Sequence, residues 1–267
     1  HLLEVSFAKL MNSLLKIPVN FVRELGATFL FIVQSLISFW TCKNCLNKII
    51  QSTLEIGCRC VFIVLIIGLF TGMVMGLQMY YTLIKFGADA ALGTAVSLSL
   101  IRELGPVLTA LMIIGQSGSA LSSEIGIQRN GEQVDALETM GINSIGFLAG
   151  PRLYAGLISF PILTSFFDII GLYGGYFSGC VLMGLDADIY WKKIFDSVHF
   201  VDVYGGFIKS LCFGIFTIGI CSYEGYYSHL NSSYKGIRGV TQAATKAVVK
   251  SSILVLVFDY LITSFFL

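Results

Sequence analysis

The chain has 267 residues, of which 55% are hydrophobic and only 12% are charged, about half the charged share of a soluble globular domain. Composition therefore places it in a lipid bilayer. Its net charge is +1 and no basic run occurs, which excludes nucleic acid as a partner, because phosphate backbones are bound through clustered Lys and Arg.

Residues 1–25 carry Lys9, Lys16 and Arg23 dispersed through mixed apolar sequence, without the compact apolar core and small-residue cleavage site of a secretory signal. Gly26 to Trp40 is apolar but short and flanked by basic residues, so it is expected to lie as a helix in the membrane interface rather than to cross. Seven cysteines stand at positions 42, 45, 58, 60, 180, 212 and 221, mostly in or beside apolar stretches, and are read as free thiols. Cys42 and Cys45 have C-x-x-C spacing, but no second Cys or His pair follows at zinc-like distance.

Five spans follow: Cys60 to Ile84, Ala90 to Leu121, Leu153 to Met183, Gly205 to Tyr223 and Ser251 to Leu267, each long and apolar enough for a transmembrane helix. Polar stretches separate the second span from the third (Ser122 to Arg152) and the third from the fourth, up to Tyr204. Only Lys85, Lys192 and Lys193 fall on the side reached by the first and third spans. The other Lys and Arg outside the spans share the opposite side, which the positive-inside rule makes cytoplasmic. This predicts a cytoplasmic N-terminus and a periplasmic C-terminus. The absence of internal repeats makes the chain a single domain, with residues 1–50 interfacial and 51–267 forming the bundle.

Glycines recur every four residues at Gly68, Gly72 and Gly76 and again at Gly171, Gly175 and Gly179, a spacing that lets helix backbones approach closely. The chain lacks G-x-x-x-x-G-K-[ST] and H-E-x-x-H, and its histidines are His1, His199 and His229. No nucleotide site of its own and no hydrolytic or metal centre is expected.

Five charges lie within the spans: Arg102, Glu103, Asp168, Lys209 and Asp259. Each costs about 2.5–3.5 kcal/mol at a helix centre unless it faces protein, a partner charge or water. Arg102 and Glu103 are adjacent, so they point about 100° apart on a helix and cannot neutralise each other head to head. At least one faces another helix or a cavity, which predicts a polar opening toward the outer end of the second span. An ion pair holding helices together is the alternative. Pro106 weakens the helix ladder just beyond them and marks a break or a fresh start. For Asp168, Lys209 and Asp259 an ion-pair role is the stronger reading, with Lys209 the partner of either aspartate.

In the segment after the second span, Val134, Leu137 and Met140 or Gly141 recur at helical spacing while Glu132, Asp135, Glu138 and Thr139 take other faces. This predicts a short amphipathic helix. Membrane-surface helices are usually rich in Lys and Arg; an acidic one suits a basic protein surface and is expected to dock a cytoplasmic partner.

Five stretches then converge on one family: GLFTGMVMGLQ (68–78), SLIRELGPVLTALMIIGQSGSALSSEIG (99–126), EQVDALETMGI (132–142), PRLYAGLISFPILT (151–164) and GVTQAATKAVVKSSILVLVFDYLIT (239–263). They resemble, in order and spacing, the MlaE/YrbE-type permeases of ABC phospholipid transporters that work with MCE-domain proteins. The resemblance runs from about residue 50 to the end and implies an all-α membrane protein with an N-terminal interfacial helix and five transmembrane helices. It further implies a homodimer in the bacterial inner membrane that handles phospholipid and contributes to outer-membrane lipid asymmetry. ATP and magnesium would sit on a separate MlaF-like ATPase, accompanied by a MlaB-like STAS-domain protein, with a MlaD-like MCE protein on the periplasmic side.

By the same resemblance, Arg102 and Glu103 line the polar part of a lipid pocket, and Leu104, Met75, Leu83 and Phe86 meet acyl chains. A guanidinium matches a phosphodiester through paired hydrogen bonds. The helix at about Glu124 to Gly141 is implied to be the ATPase coupling element, carrying Glu124, Arg129, Glu132, Asp135, Glu138 and a closing Gly141. Asp168 has no counterpart in that pattern. A rival class, an ion-coupled secondary transporter of an amphipathic substrate, would use Asp168, Glu103 and Asp259 as relays, although such folds often show inverted repeats and paired broken helices.

Overall fold

The computed structural model describes residues 23–38, 45–231 and 236–266. Helix α1 covers residues 23–38. Five helical segments are long and apolar enough to cross a membrane: α2 (Leu46–Phe86), α3 (Asp89–Asn130), α5 (Ser144–Leu182), α7 (Phe200–Tyr226) and α8 (Arg238–Phe265). Two shorter helices join them, α4 (Gln133–Thr139) and α6 (Ala187–Ser197). All elements among the described residues are helical, as bilayer physics requires of a chain that must satisfy its own backbone polar groups.

The spans run longer than the apolar stretches alone indicate. Hydropathy registers only the part of a helix in contact with lipid, whereas the helical ladder continues through polar turns at both ends. The polar stretch before Tyr204 is not a loop but α6 and the first turn of α7. Asp186 caps α6 by accepting from the Asp188 amide at 2.9 Å. Tyr190 on that helix is fully buried and donates to the Leu172 carbonyl at 3.0 Å, and Trp191 stacks on Tyr176. Desolvation of the Tyr190 phenol holds its pKa well above the ordinary value, so it remains a donor.

Helices α2 and α5 pack backbone to backbone. A Cβ on Gly72 would collide with the Gly171 carbonyl oxygen, and one on Gly68 would stand 3.0 Å from the Phe167 carbonyl oxygen. On Gly76 it would strike Ser178 Oγ and lie 3.1 Å from Gly175 Cα. The glycine row of the first span thus faces Phe167, Gly171 and Gly175 of the third along one seam, the small-residue packing that stabilises helix pairs in lipid, while Gly179 packs against Leu92 of α3.

Helix α3 is interrupted twice by π-helical turns, Leu100–Leu104 and Ile114–Gly118. The first ends where Gly105 and Pro106 open a new α-helical stretch, as the missing Pro106 N–H predicts. Single π turns within helices are frequent at functional sites.

At the end of the bundle that holds the Asn130–Ser144 connection, Phe31 of α1 packs against Tyr223 and Tyr226. Lys250 pairs with Glu24 of α1 at 2.8 Å and with the buried Glu224 at 2.7 Å. The expected N-terminal helix is therefore docked on α7 and α8. Cys58, Cys60, Cys180, Cys212 and Cys221 are free thiols, while Cys42 and the side chain of Cys45 lie outside the described residues.

Candidate functional site

Arg102 and Glu103 sit in the first π turn of α3 and project toward different neighbours. Arg102 Nε donates to Asp202 Oδ1 on α7 at 2.7 Å, and its Nη2 lies 2.6 Å from the same oxygen. Lys209, one-and-a-half to two turns further along α7, sends its Nζ to Glu103 Oε2 at 2.7 Å, to Asp259 Oδ1 of α8 at 3.0 Å, and to the Arg102 carbonyl at 2.9 Å. Thr263 Oγ1 accepts from the same ammonium at 2.7 Å.

Arg102, Glu103, Asp202, Lys209 and Thr263 border a cleft of about 490 Å³ whose remaining wall is Leu98, Ser99, Val201, Gly205 and Gly206. The cleft lies between α3, α7 and the end of α8. Lys209 is 3% exposed, whereas the Arg102 side chain is 46% exposed. One cation is thus committed to holding two carboxylates together; the other, although paired, keeps half its surface toward the opening. The polar opening and the interhelix ion pairs, alternatives in the sequence, occur together here. The geometry suits an amphipathic ligand, with a polar rim of both signs and apolar Leu98 and Val201 beside it.

Asp202 and Thr263 were not anticipated. Asp202 was read as part of a polar loop, yet its Oδ2 accepts from the His199 amide at 2.9 Å and so caps α7 while its Oδ1 takes the guanidinium. The signal available in sequence was its position three residues beyond His199, the spacing of a capping box. Lys209 pairs with Asp259 but not with Asp168, contrary to one of the two expected pairings. Asp168 lies on α5 against Gly105, where its Oδ1 fills the space a side chain would take and has no hydrogen-bond partner among the described residues.

Of the expected apolar wall, Leu104 packs partly buried against the core and is not among the residues that line the cleft. Met75, Leu83 and Phe86 do not border it; Leu83 packs on the core and Phe86 is 80% exposed at the end of α2. One copy of the chain does not bring these three to Arg102.

The element at Glu124 to Gly141 is two pieces rather than one helix. The end of α3 runs to Asn130, and the chain then turns through Gly131 and Glu132, the latter at φ +58°. Helix α4 closes in a Schellman motif: Gly141, at φ +73°, donates to the Glu138 carbonyl, and Ile142 to that of Leu137, both at 3.0 Å. The left-handed position explains the glycine. Val134 is buried and Leu137 half-buried, but Met140 is 65% exposed rather than on the buried face. The Schellman turn begins there and carries its side chain out.

Arg129 Nη1 pairs with Asp135 at 2.9 Å, and Glu138 Oε1 accepts from Ser144 Oγ at 2.8 Å and from the Tyr226 hydroxyl at 3.0 Å. These two hydrogen bonds, with a smaller contribution from Arg129, hold the Glu138 carboxyl below its ordinary value. Glu124 pairs with Arg152 at 2.6 Å. The connection is therefore latched to the ends of α5 and α7, leaving Glu132, Met140 and Ile127 exposed on its outer surface.

Comparison with known proteins bears on this arrangement. A family model described as Permease MlaE matches residues 49–265. The chain is 36% identical over 255 residues to the intermembrane phospholipid transport system permease protein MlaE of Haemophilus influenzae, covering 95% of this chain and 96% of that protein. It is 38% identical over 255 residues to a probable ABC transporter permease protein of Rickettsia felis, covering 96% of each.

Proposed function

The chain belongs to the MlaE permease family, and from that premise we propose that it is the membrane subunit of an ABC transporter that moves phospholipid between a bacterial inner membrane and a periplasmic MCE-protein partner. The observation that carries the reading is the cleft at Arg102 and Glu103, where charges of both signs meet apolar side chains within a membrane-spanning helix. Buried charges are retained in membrane helices mainly along substrate paths. A lipid phosphate would compete with Asp202 for the exposed half of the Arg102 guanidinium.

ATP and its magnesium belong, in this reading, to a cytoplasmic ATPase, with a STAS-domain protein beside it. The exposed surface of Glu132 and Met140 is offered as its docking face, and the Glu138 latch to Tyr226 would pass its movement to α7. Two copies of the chain form the permease, with N-termini cytoplasmic and C-termini periplasmic. Met75, Leu83 and Phe86 enter the acyl-chain wall only in that homodimer.

The test is transport of a fluorescent phospholipid by the complex reconstituted with its ATPase and MCE protein. The double variant Arg102→Ala, Glu103→Ala is expected to transport at less than a tenth of the parent rate while co-purifying the same amount of ATPase. Normal transport removes the assignment of the cleft. Transport that needs no ATPase and follows an imposed ion gradient would replace the reading with the ion-coupled class.

A further inference from the structure

A second polar cleft, of about 390 Å³, opens at the other end of α3 between α2 and the start of α5. Its charged lining is Glu55 and Arg59 of α2, Glu124 of α3 and Arg152 of α5, with Ile56, Leu121 and Ile127 as apolar wall. Two of the four charges are spent on each other: Arg152 Nη2 binds Glu124 Oε1 at 2.6 Å, and its Nη1 donates to the Leu148 carbonyl at 3.3 Å.

The other two remain open. Glu55 and Arg59 stand one helical turn apart in the order that favours an i,i+4 ion pair, yet they do not pair with each other, and among the described residues Glu55 accepts only a 3.3 Å hydrogen bond from Gln51. Arg59 meets no carboxylate within ion-pair distance among the described residues. A guanidinium and a carboxylate on one helix face, their Cβ atoms about 5–6 Å apart, complement a ligand that carries a phosphate and an ammonium a short distance from each other.

Depth supplies the second argument. Arg102 and Glu124 are separated by twenty-two residues of α3, roughly 30 Å of helical rise, which equals the hydrocarbon thickness of a bilayer. If the first cleft lies at one headgroup layer, the second lies at the other. Ile127 is 62% exposed and extends the apolar wall outward from it.

We infer that the cleft bounded by Glu55, Arg59 and Arg152 is a second lipid site, which takes the zwitterionic phosphodiester headgroup of a phospholipid from the leaflet opposite the Arg102 cleft. Arg59 binds the phosphate and Glu55 the ammonium, while Ile56, Leu121 and Ile127 receive the proximal acyl chain. The inference rests on the phospholipid reading above and adds to it a headgroup class and a second point of contact.

The experiment uses the purified full-length protein in nanodiscs, with phosphatidylethanolamine bearing a photoreactive group next to the headgroup, and maps cross-links by peptide mass spectrometry. Labelling is expected both at residues 120–127 and at residues 98–103. Arg59→Gln is expected to lower the first about tenfold and leave the second unchanged; unchanged labelling at 120–127 overturns the second site. Both side chains at positions 55 and 59 are exposed, and Glu55→Gln, expected to act in the same direction, guards against a local effect of one substitution. An equally efficient phosphatidylglycerol probe overturns the zwitterion assignment. Loss of labelling on adding an equimolar amount of soluble glycerophosphoethanolamine overturns the lipid source in favour of a soluble phosphate ester. Absence of labelling at both segments in the parent protein would instead remove the phospholipid reading itself.

Discussion

Lys209 Nζ on α7 lies 2.7 Å from Glu103 Oε2 on α3, and the same ammonium carries the ion pair to Asp259 on α8. Three helices therefore converge on one buried cation, and its removal leaves two carboxylates facing each other. Lys209→Met is expected to destabilise the protein by about 3 kcal/mol, the low end for breaking a buried pair because Glu103 is partly exposed. Thermal unfolding in detergent measures it. Adding Glu103→Gln and Asp259→Asn should recover most of the loss, whereas no recovery would mean that the lysine acts through packing alone.

The glycine seam gives the sharpest steric expectation. Gly72→Leu places a branched side chain against the Gly171 carbonyl, and no rotamer avoids a backbone atom. Expression of folded protein should fall severely, while Gly115→Ala, whose added carbon meets nothing within 4 Å, should leave yield and melting temperature unchanged. Equal behaviour of the two variants in size-exclusion chromatography would contradict the seam.

Asp168 tests the reverse case. Its Oδ1 is buried without a hydrogen-bond partner among the described residues, and an unsatisfied buried polar atom costs about 1–3 kcal/mol. Asp168→Leu is expected to raise thermal stability by about 1 kcal/mol and to leave lipid transport intact. A loss of transport at retained stability would show that the carboxyl takes part in the transport cycle.

The Glu138 latch predicts a pH dependence. Because its folded pKa lies below the ordinary value of 4.5, the latch contributes stability that is fully present above the unfolded pKa and is lost as pH falls through the folded one. Hydrogen exchange of residues 133–139 should accelerate in the acid range below that ordinary value. In Glu138→Gln this acid step should be absent; persistence of the same step would assign it to another carboxylate.

For partner docking, Glu132→Lys is the cleanest probe, since Glu132 is exposed and has no ion pair among the described residues, whereas Asp135 is held by Arg129. Pull-down of the ATPase is expected to weaken about tenfold. Full retention would move the docking face elsewhere.

Much of this architecture was legible because bilayer physics leaves few solutions. Twenty apolar residues define a span, and four-residue glycine spacing marks α2 and α5 as closely packed helices, although not as each other's partners. Arg102 and Glu103 stood out because charges are expensive in lipid. The partners were harder to read. Asp202 lay in a segment polar enough to pass for a loop, and Thr263 carried no charge to mark it. Neither the Glu103–Lys209 contact nor the isolation of Asp168 follows from spacing, because both depend on the rotational setting of α3, α5 and α7. The π turn at Leu100–Leu104 shifts that setting by one residue, without a local sequence signature beyond Gly105 and Pro106. Met140 was misplaced for a related reason: helical periodicity was extended into a residue where the helix was already ending.

The seam between α2 and α5 also decides which parts of the bundle are free to work. Helices in direct backbone contact have no intervening layer of side chains that could switch rotamers and slip past one another, so this pair behaves as a fixed beam. The π turns beside the two clefts lie instead in α3, where they divide it into shorter rods around the nine-residue segment Gly105–Ile113. One of those swivels carries Arg102 and Glu103; the other contains Ser117, which lines the second cleft. A turn of the middle rod would alter both openings in a single stroke while the beam keeps the protein anchored.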